Sequence, residues 1–130
     1  GLRAGYAYNT FPLMNGHLIP PEVLTLEPWW RNFAYNMATV QLVHRAFFWL
    51  LLILVPVVWW RWRTFAGANL LLAAFAAQAA LGIATLLAGA PLHLAAPHQA
   101  GAVLVLAAAI WSAHASGARL SLQYESNHAT

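Results

Sequence analysis

Three long apolar segments restrict this chain to a small set of folds. They cover residues 37–60, 65–88 and 98–118. Each approaches or exceeds the roughly 20 apolar residues a helix needs to cross the hydrocarbon core of a bilayer. In that solvent a lone segment must satisfy its own backbone N–H and C=O groups, so a span of this kind is a helix. Composition agrees: of 130 residues, 62% are hydrophobic and only 7% are charged, too few charges to clothe a soluble domain of this size. The expected fold class is an all-α integral membrane protein with three transmembrane helices.

The net charge of +3 sets six arginines against Glu22, Glu27 and Glu125, with no lysine. This basic balance reflects scarce acids rather than a basic patch, so no nucleic-acid partner is expected. The absence of cysteine excludes disulfides, thiolate haem ligation and cysteine metal sites. Gly1-Leu2-Arg3 does not begin the apolar core of a signal peptide, and no methionine starts the chain. The sequence therefore reads as a processed, truncated or partly observed product.

Residues 1–36 read as the end of a preceding helix or a short lead-in (1–8), followed by a long outer loop. Pro12, Gly16, Pro20, Pro21 and Pro28 break that loop into turns. A loop of this length is expected to have a function or packing of its own. Its Trp29-Trp30-Arg31 cluster suits a membrane interface, and Asn36 is placed to cap the first span. Arg61-Trp62-Arg63 closes that span behind a Trp59-Trp60 belt, and Arg119 follows the third. By the positive-inside rule these arginines mark the cytoplasmic or matrix side, with residues 119–130 as a tail there. Arg3 and Arg31 argue mildly the other way, but Arg61 and Arg63 lie right at span ends. The loop and the Gly89-Ala90-Pro91-Leu92-His93 linker then face outside, in the periplasm or intermembrane space.

Two histidines stand near the starts of the first and third spans, which run in the same direction. His44 lies about 17 residues from Arg61, roughly 25 Å of helix, and His98 about 18 residues from Ser116, roughly 27 Å. Both imidazoles are therefore expected at similar depth near the outer face. The second span is rich in alanine, with Gly82 among them, and reads as a close-packing helix. Gln78 at its centre reads as an amide that bridges helices.

Neutral imidazole is a common axial haem ligand, and a helix bundle can clamp a porphyrin. Gly101 and Ala102, one turn below His98, leave room for a flat macrocycle. Ala46, Phe47 and Phe48 below His44 can edge it. Arg45 beside His44 can pair with propionates, and Gln99 adjoins His98. By geometry alone two readings stand: a ligand pair, or two interfacial side chains. His114 lies about 160° around the helix from His98 and reads as interfacial. His17 and His93 fall in outer loops and His128 in a polar tail.

Several motifs together resemble the haem A synthase family, membrane enzymes that oxidise the methyl group of haem O to the formyl group of haem A. They are Ala7-Tyr8-Asn9-Thr10-Phe11-Pro12-Leu13-Met14, Gln41-x-x-His44-Arg45, Leu81-Gly82-Ile83-Ala84-Thr85-Leu86-Leu87 and Pro97-His98-Gln99-Ala100-Gly101-Ala102. They occur in the family's order over most of residues 1–118. The resemblance implies a pseudo-symmetric four-plus-four helix bundle, of which this chain is the C-terminal half without most of its first helix. It also implies that His44 and His98 are axial ligands of a b-type haem, with Gln41, Arg45, Phe48, Gln99, Gly101 and Ala102 around it. The corresponding motif of the other half has a glutamate where this chain has Gln41. An amide cannot act as a carboxylate base, so the resemblance implies the cofactor and electron-transfer half, with no catalytic residue here. The outer-loop cysteine pair of some family branches is absent.

The expected function is thus to support haem A formation for cytochrome oxidase biogenesis. The expected partners are membrane lipid, haem, the missing N-terminal half or other membrane subunits, and haem O synthase. The expected location is a bacterial plasma (inner) membrane, or the mitochondrial inner membrane in a eukaryote. One alternative is a truncated paralogue kept as a structural subunit of a larger membrane complex. Another, a two-haem quinone-reactive cytochrome, needs a second histidine pair, and His114 has no partner for it.

Overall fold

The computed structural model describes the backbone of residues 4–128 and the side chains of residues 5–115. The expectations placed on the side chains of Arg3, Ser116, Arg119 and His128 lie outside the described residues. After 3-10 turns at Ala4–Tyr6 and Trp29–Arg31 come four α-helices: α1 (Asn32–Tyr35), α2 (Met37–Trp62), α3 (Ala66–Leu87) and α4 (Leu92–His128). The fold is all-helical. Met37–Trp62, Ala66–Leu87 and Leu92–Ala115 are each long and apolar enough to cross a membrane. Among the described residues the sole β feature is an isolated bridge between Met14 and His17.

Helix ends follow local chemistry. The Asn36 side chain accepts from the Thr39 backbone N–H at 3.0 Å and caps α2, as its position predicts. At the end of α3 Gly89 takes φ +75°, a left-handed conformation that favours glycine, and the Ala90 N–H bonds the Thr85 carbonyl at 2.8 Å. α4 starts six residues or so before His98, because Pro91 opens the helix: its carbonyl takes the N–H groups of Leu94 and Ala95. His93 therefore sits in the first turn of α4 rather than in a linker, and Pro97 lies inside the helix. The same helix runs on through residues 119–128.

α3 packs chiefly on α4, and α2 on α3. Val55, Leu71, Phe75 and Ala108 form the core between the three spans. Close approach depends on small residues: a Cβ at Gly67 would lie 2.9 Å from Ser112 Oγ. Even so, only 11%, 17% and 6% of the most apolar windows of the three spans are buried. Most of their surface faces outward, where lipid or further helices must cover it.

The loop ahead of α2 is folded rather than slack. Asn32 is fully buried: its Nδ2 donates to the Leu26 and Trp29 carbonyls, and its Oδ1 accepts from the Leu26 N–H. Asn36 Nδ2 donates to the Glu22 carbonyl, and Thr39 Oγ1 accepts from the Leu24 N–H. Tyr8, Met14 and Ala38 form a second apolar cluster that seats the loop on α2. Asn9 Nδ2 donates to the Leu86 carbonyl at 2.9 Å, so the loop also touches the end of α3. The start of α2, the end of α3, the start of α4 and the loop thus share one end of the bundle.

Candidate functional site

At that end the His44 and His98 rings face each other. Their centroids are 6.4 Å apart and their planes cross at 81°. The two helices run in the same direction, and His44 and His98 lie at nearly equal distances from the far ends of their apolar spans, Trp62 and Ala115. His44 is exposed, while His98 is partly buried between α3 and α4.

His98 is held from α3. Gln78 Nε2 donates to the His98 carbonyl at 2.6 Å and lies 3.0 Å from His98 Nδ1. Below the ring is Gly82, where a Cβ would stand 2.6 Å from His98 Cε1. Gly101 has the reciprocal relation to Gln78: a Cβ there would overlap the Gln78 Oε1. Glycine on each helix therefore receives a polar side chain from the other. Gln78 bridges the helices as its central position predicts. Neither its contact with His98 nor the seat at Gly82 was legible as site chemistry in the sequence.

Gln41 and Arg45, one turn apart, occupy a stripe of α2 next to that of His44. Gln41 Nε2 donates to the Tyr8 carbonyl at 2.9 Å. Arg45 spreads its guanidinium over four main-chain carbonyls: Pro12 at 3.0 Å and Leu13 at 3.2 Å from Nη1, Tyr8 at 3.2 Å and Thr10 at 2.9 Å from Nη2. Both residues are buried, and among the described residues Gln41 Oε1 and Arg45 Nε have no hydrogen-bond partner. In this structure Arg45 thus clasps residues 8–13 to α2. Phe48 packs edge-on to Phe11 at 6.0 Å, and Phe11 stacks on Trp49 at 5.6 Å, which lays the clasped segment over the start of α2. Gln99 and Ala102 are exposed. His17, His93 and His114 are exposed and apart from the pair.

In the loop, Tyr8 Oη donates to the Glu22 carboxylate at 2.6 Å. The bond holds the Glu22 carboxyl below its ordinary range and raises the Tyr8 phenol above its own.

The arrangement suits a metal that brings most of its own donors. Among the described residues no group of three or more His, Cys, Asp or Glu side chains gathers, so a bare ion would be under-coordinated. Two imidazoles sharing one metal, each nitrogen about 2 Å from it, place their ring centres roughly 6 Å apart. The observed 6.4 Å matches that spacing. Fold and site together define a multi-pass helical membrane protein with a paired-histidine site near one end of its bundle.

A family model described as cytochrome oxidase assembly protein matches residues 1–110, and the chain belongs to that family. It is 54% identical to the haem A synthase of Nitrosospira multiformis over 88% of this chain and 34% of that protein. It is 50% identical to the haem A synthase of Nitrosomonas eutropha over 85% of the chain and 33% of that protein. To that of Rhodospirillum centenum it is 44% identical over 88% and 32%. The chain thus spans about a third of the length of these curated relatives, within their C-terminal part. No solved structure matches it.

Proposed function

We propose that this chain is the part of a haem A synthase that holds a b-type haem, with His44 and His98 as axial ligands. In this reading oxidation of the haem O methyl group falls to the other half of the enzyme, which a haem held here would serve as electron carrier. The observation that carries the reading is the facing of His44 and His98 at 6.4 Å from two parallel helices. A bound haem would supply one-electron transfer, and the chain supplies the ligands and their surroundings. Phe48 lies on the α2 side and Gln99 and Ala102 on α4 beside His98, whereas the room expected at Gly101 is taken by the Gln78 amide, so Gly101 serves helix packing rather than the macrocycle. Gln41, an amide bonded to the Tyr8 carbonyl, offers no base, in keeping with a cofactor site rather than a reacting one. Arg45 shapes the site through residues 8–13, which it holds over the start of α2.

The exposed apolar faces of the spans take lipid on one side and the N-terminal half of the synthase on the other. Haem O synthase, as supplier of the substrate, is the expected encounter partner. The membrane is the bacterial plasma membrane. The test is a reduced-minus-oxidised spectrum of the detergent-solubilised protein, expected to show a low-spin bis-histidine b-type haem. His44→Ala and His98→Ala should each abolish that signature, and its survival in both variants would overturn the ligand assignment.

A further inference from the structure

The short run that leads into α2 has its polarity inverted. Asn32 and Asn36 are buried, and their amides hold the preceding loop: Asn32 bonds both main-chain groups of Leu26 and the Trp29 carbonyl, and Asn36 bonds the Glu22 carbonyl. Trp29, Trp30, Phe33 and Tyr35, by contrast, are each more than half exposed. Trp29 and Phe33 meet edge to face at 6.0 Å and so share one surface. A cluster of exposed aromatic rings is unfavourable in water and marks a contact surface. The inner side of the same run is taken by the amide bonds, so the rings have no core to enter.

The depth of this surface says what covers it. About 24 residues separate Met37 from Arg61, roughly 36 Å along α2. The hydrocarbon core takes roughly 30 Å, and core with headgroups roughly 40–45 Å. With Arg61 at one boundary, Met37 stands in the headgroup layer at the His44 end. Asn36 is extended, with φ -97° and ψ 112°, so α1 leaves the axis of α2 at that depth instead of running on into water. Trp and Tyr rings settle in this layer. Arg31 lies over the Tyr35 ring at 5.7 Å and donates to the Glu27 carbonyl at 3.4 Å. Neither contact neutralises its charge, which suits a lipid phosphate. We propose that residues 29–35 are a membrane-interface anchor whose aromatic face docks on the phosphate and glycerol region of phospholipid. The anchor is independent of haem. It ties the loop at the histidine end to lipid, because Glu22 also holds Tyr8, whose carbonyl Gln41 and Arg45 grip.

The chain has no cysteine, so single nitroxide labels report one site each. Trp30→Cys and Phe33→Cys sample the aromatic face, each keeping three of the four rings, and Leu52→Cys samples the middle of α2. The full 130-residue chain is placed in vesicles of phosphatidylcholine and phosphatidylglycerol, and spin relaxation by oxygen is compared with that by a water-soluble nickel chelate. Labels at 30 and 33 should be relaxed more by oxygen than by nickel. Their depth should fall between those of headgroup-labelled and chain-labelled lipids, and above the label at 52. Nickel dominating at either site would put the face in water and overturn the proposal. The same labels are then read in a complex co-purified with the part of the Nitrosospira multiformis relative that this chain does not cover. An unchanged depth supports the lipid anchor. Either site closed to both relaxants would make the face a protein interface and overturn it.

Discussion

Removing the Arg45 guanidinium should free the N-terminal segment while leaving the three-helix bundle intact. Arg45→Ala deletes four hydrogen bonds from a charged donor to the carbonyls of Tyr8, Thr10, Pro12 and Leu13. Bonds of this kind contribute roughly 1.5–3 kcal/mol each, so four set a ceiling of about 6–12 kcal/mol. Most of that is recovered. Thr10, Pro12 and Leu13 are exposed, so their carbonyls regain water. Tyr8 is buried, but its carbonyl keeps the Gln41 amide at 2.9 Å. The expected loss is about 2–4 kcal/mol, concentrated in residues 8–14 and the Phe11–Trp49 stack. Hydrogen–deuterium exchange in nanodiscs should show faster exchange at Met14, whose N–H bonds the His17 carbonyl at 2.8 Å, with the interior of α3 unchanged. Arg45→Lys should recover only part of the protection, since an ammonium lacks the planar fork that reaches several carbonyls at once. Unaltered exchange in the alanine variant would refute the clasp. Uniform acceleration across α2, α3 and α4 would refute its being local.

Two further outcomes follow from the geometry. Gly82→Ala should gain up to about 1 kcal/mol of helix propensity yet displace the His98 ring, since the new Cβ would stand 2.6 Å from Cε1; the check is a loss of haem retention greater than any loss of thermal stability. The Tyr8–Glu22 tether should hold over a bounded pH range. Glu22, lowered by its bond to Tyr8, contributes stability above the ordinary carboxylate range that is lost as pH falls through its depressed value. Tyr8, raised by Glu22, contributes stability below the ordinary phenol range that is lost as pH rises through its elevated value. Loop amide exchange should therefore quicken at both extremes. Glu22→Gln should abolish the acid limb, and a surviving acid limb in that variant would assign it to another group.

The family assignment and the site geometry bear on each other through residues 8–14. That stretch resembles the family in sequence, and in the structure it is what Gln41 and Arg45 grip. The Gln41-x-x-His44-Arg45 motif therefore serves two faces of one helix. Positions 41 and 45 bind a loop, and position 44 looks toward α4. An arginine next to a histidine proposed as a haem ligand suggests a propionate partner when only the sequence is in view. In the fold its terminal nitrogens are taken by main-chain carbonyls 32 to 37 residues away in the sequence.

By itself the sequence determined the spans, their order and the equal depth of His44 and His98. Each of these is local or additive along the chain: apolar length sets a span, the rise per residue sets depth, and Asn36 caps the helix that follows it. Only the tertiary structure decided what Gln78, Gly82, Gly101 and Arg45 touch. Those contacts join residues 16 or more positions apart, and each depends on how two helices or a loop and a helix are rotated against each other. Hydrophobic pattern constrains that rotation weakly in a chain whose helices are apolar on nearly every side. Where small residues let the backbones close and polar groups must find partners, the packing settles it, and in doing so assigns Gln78 to His98.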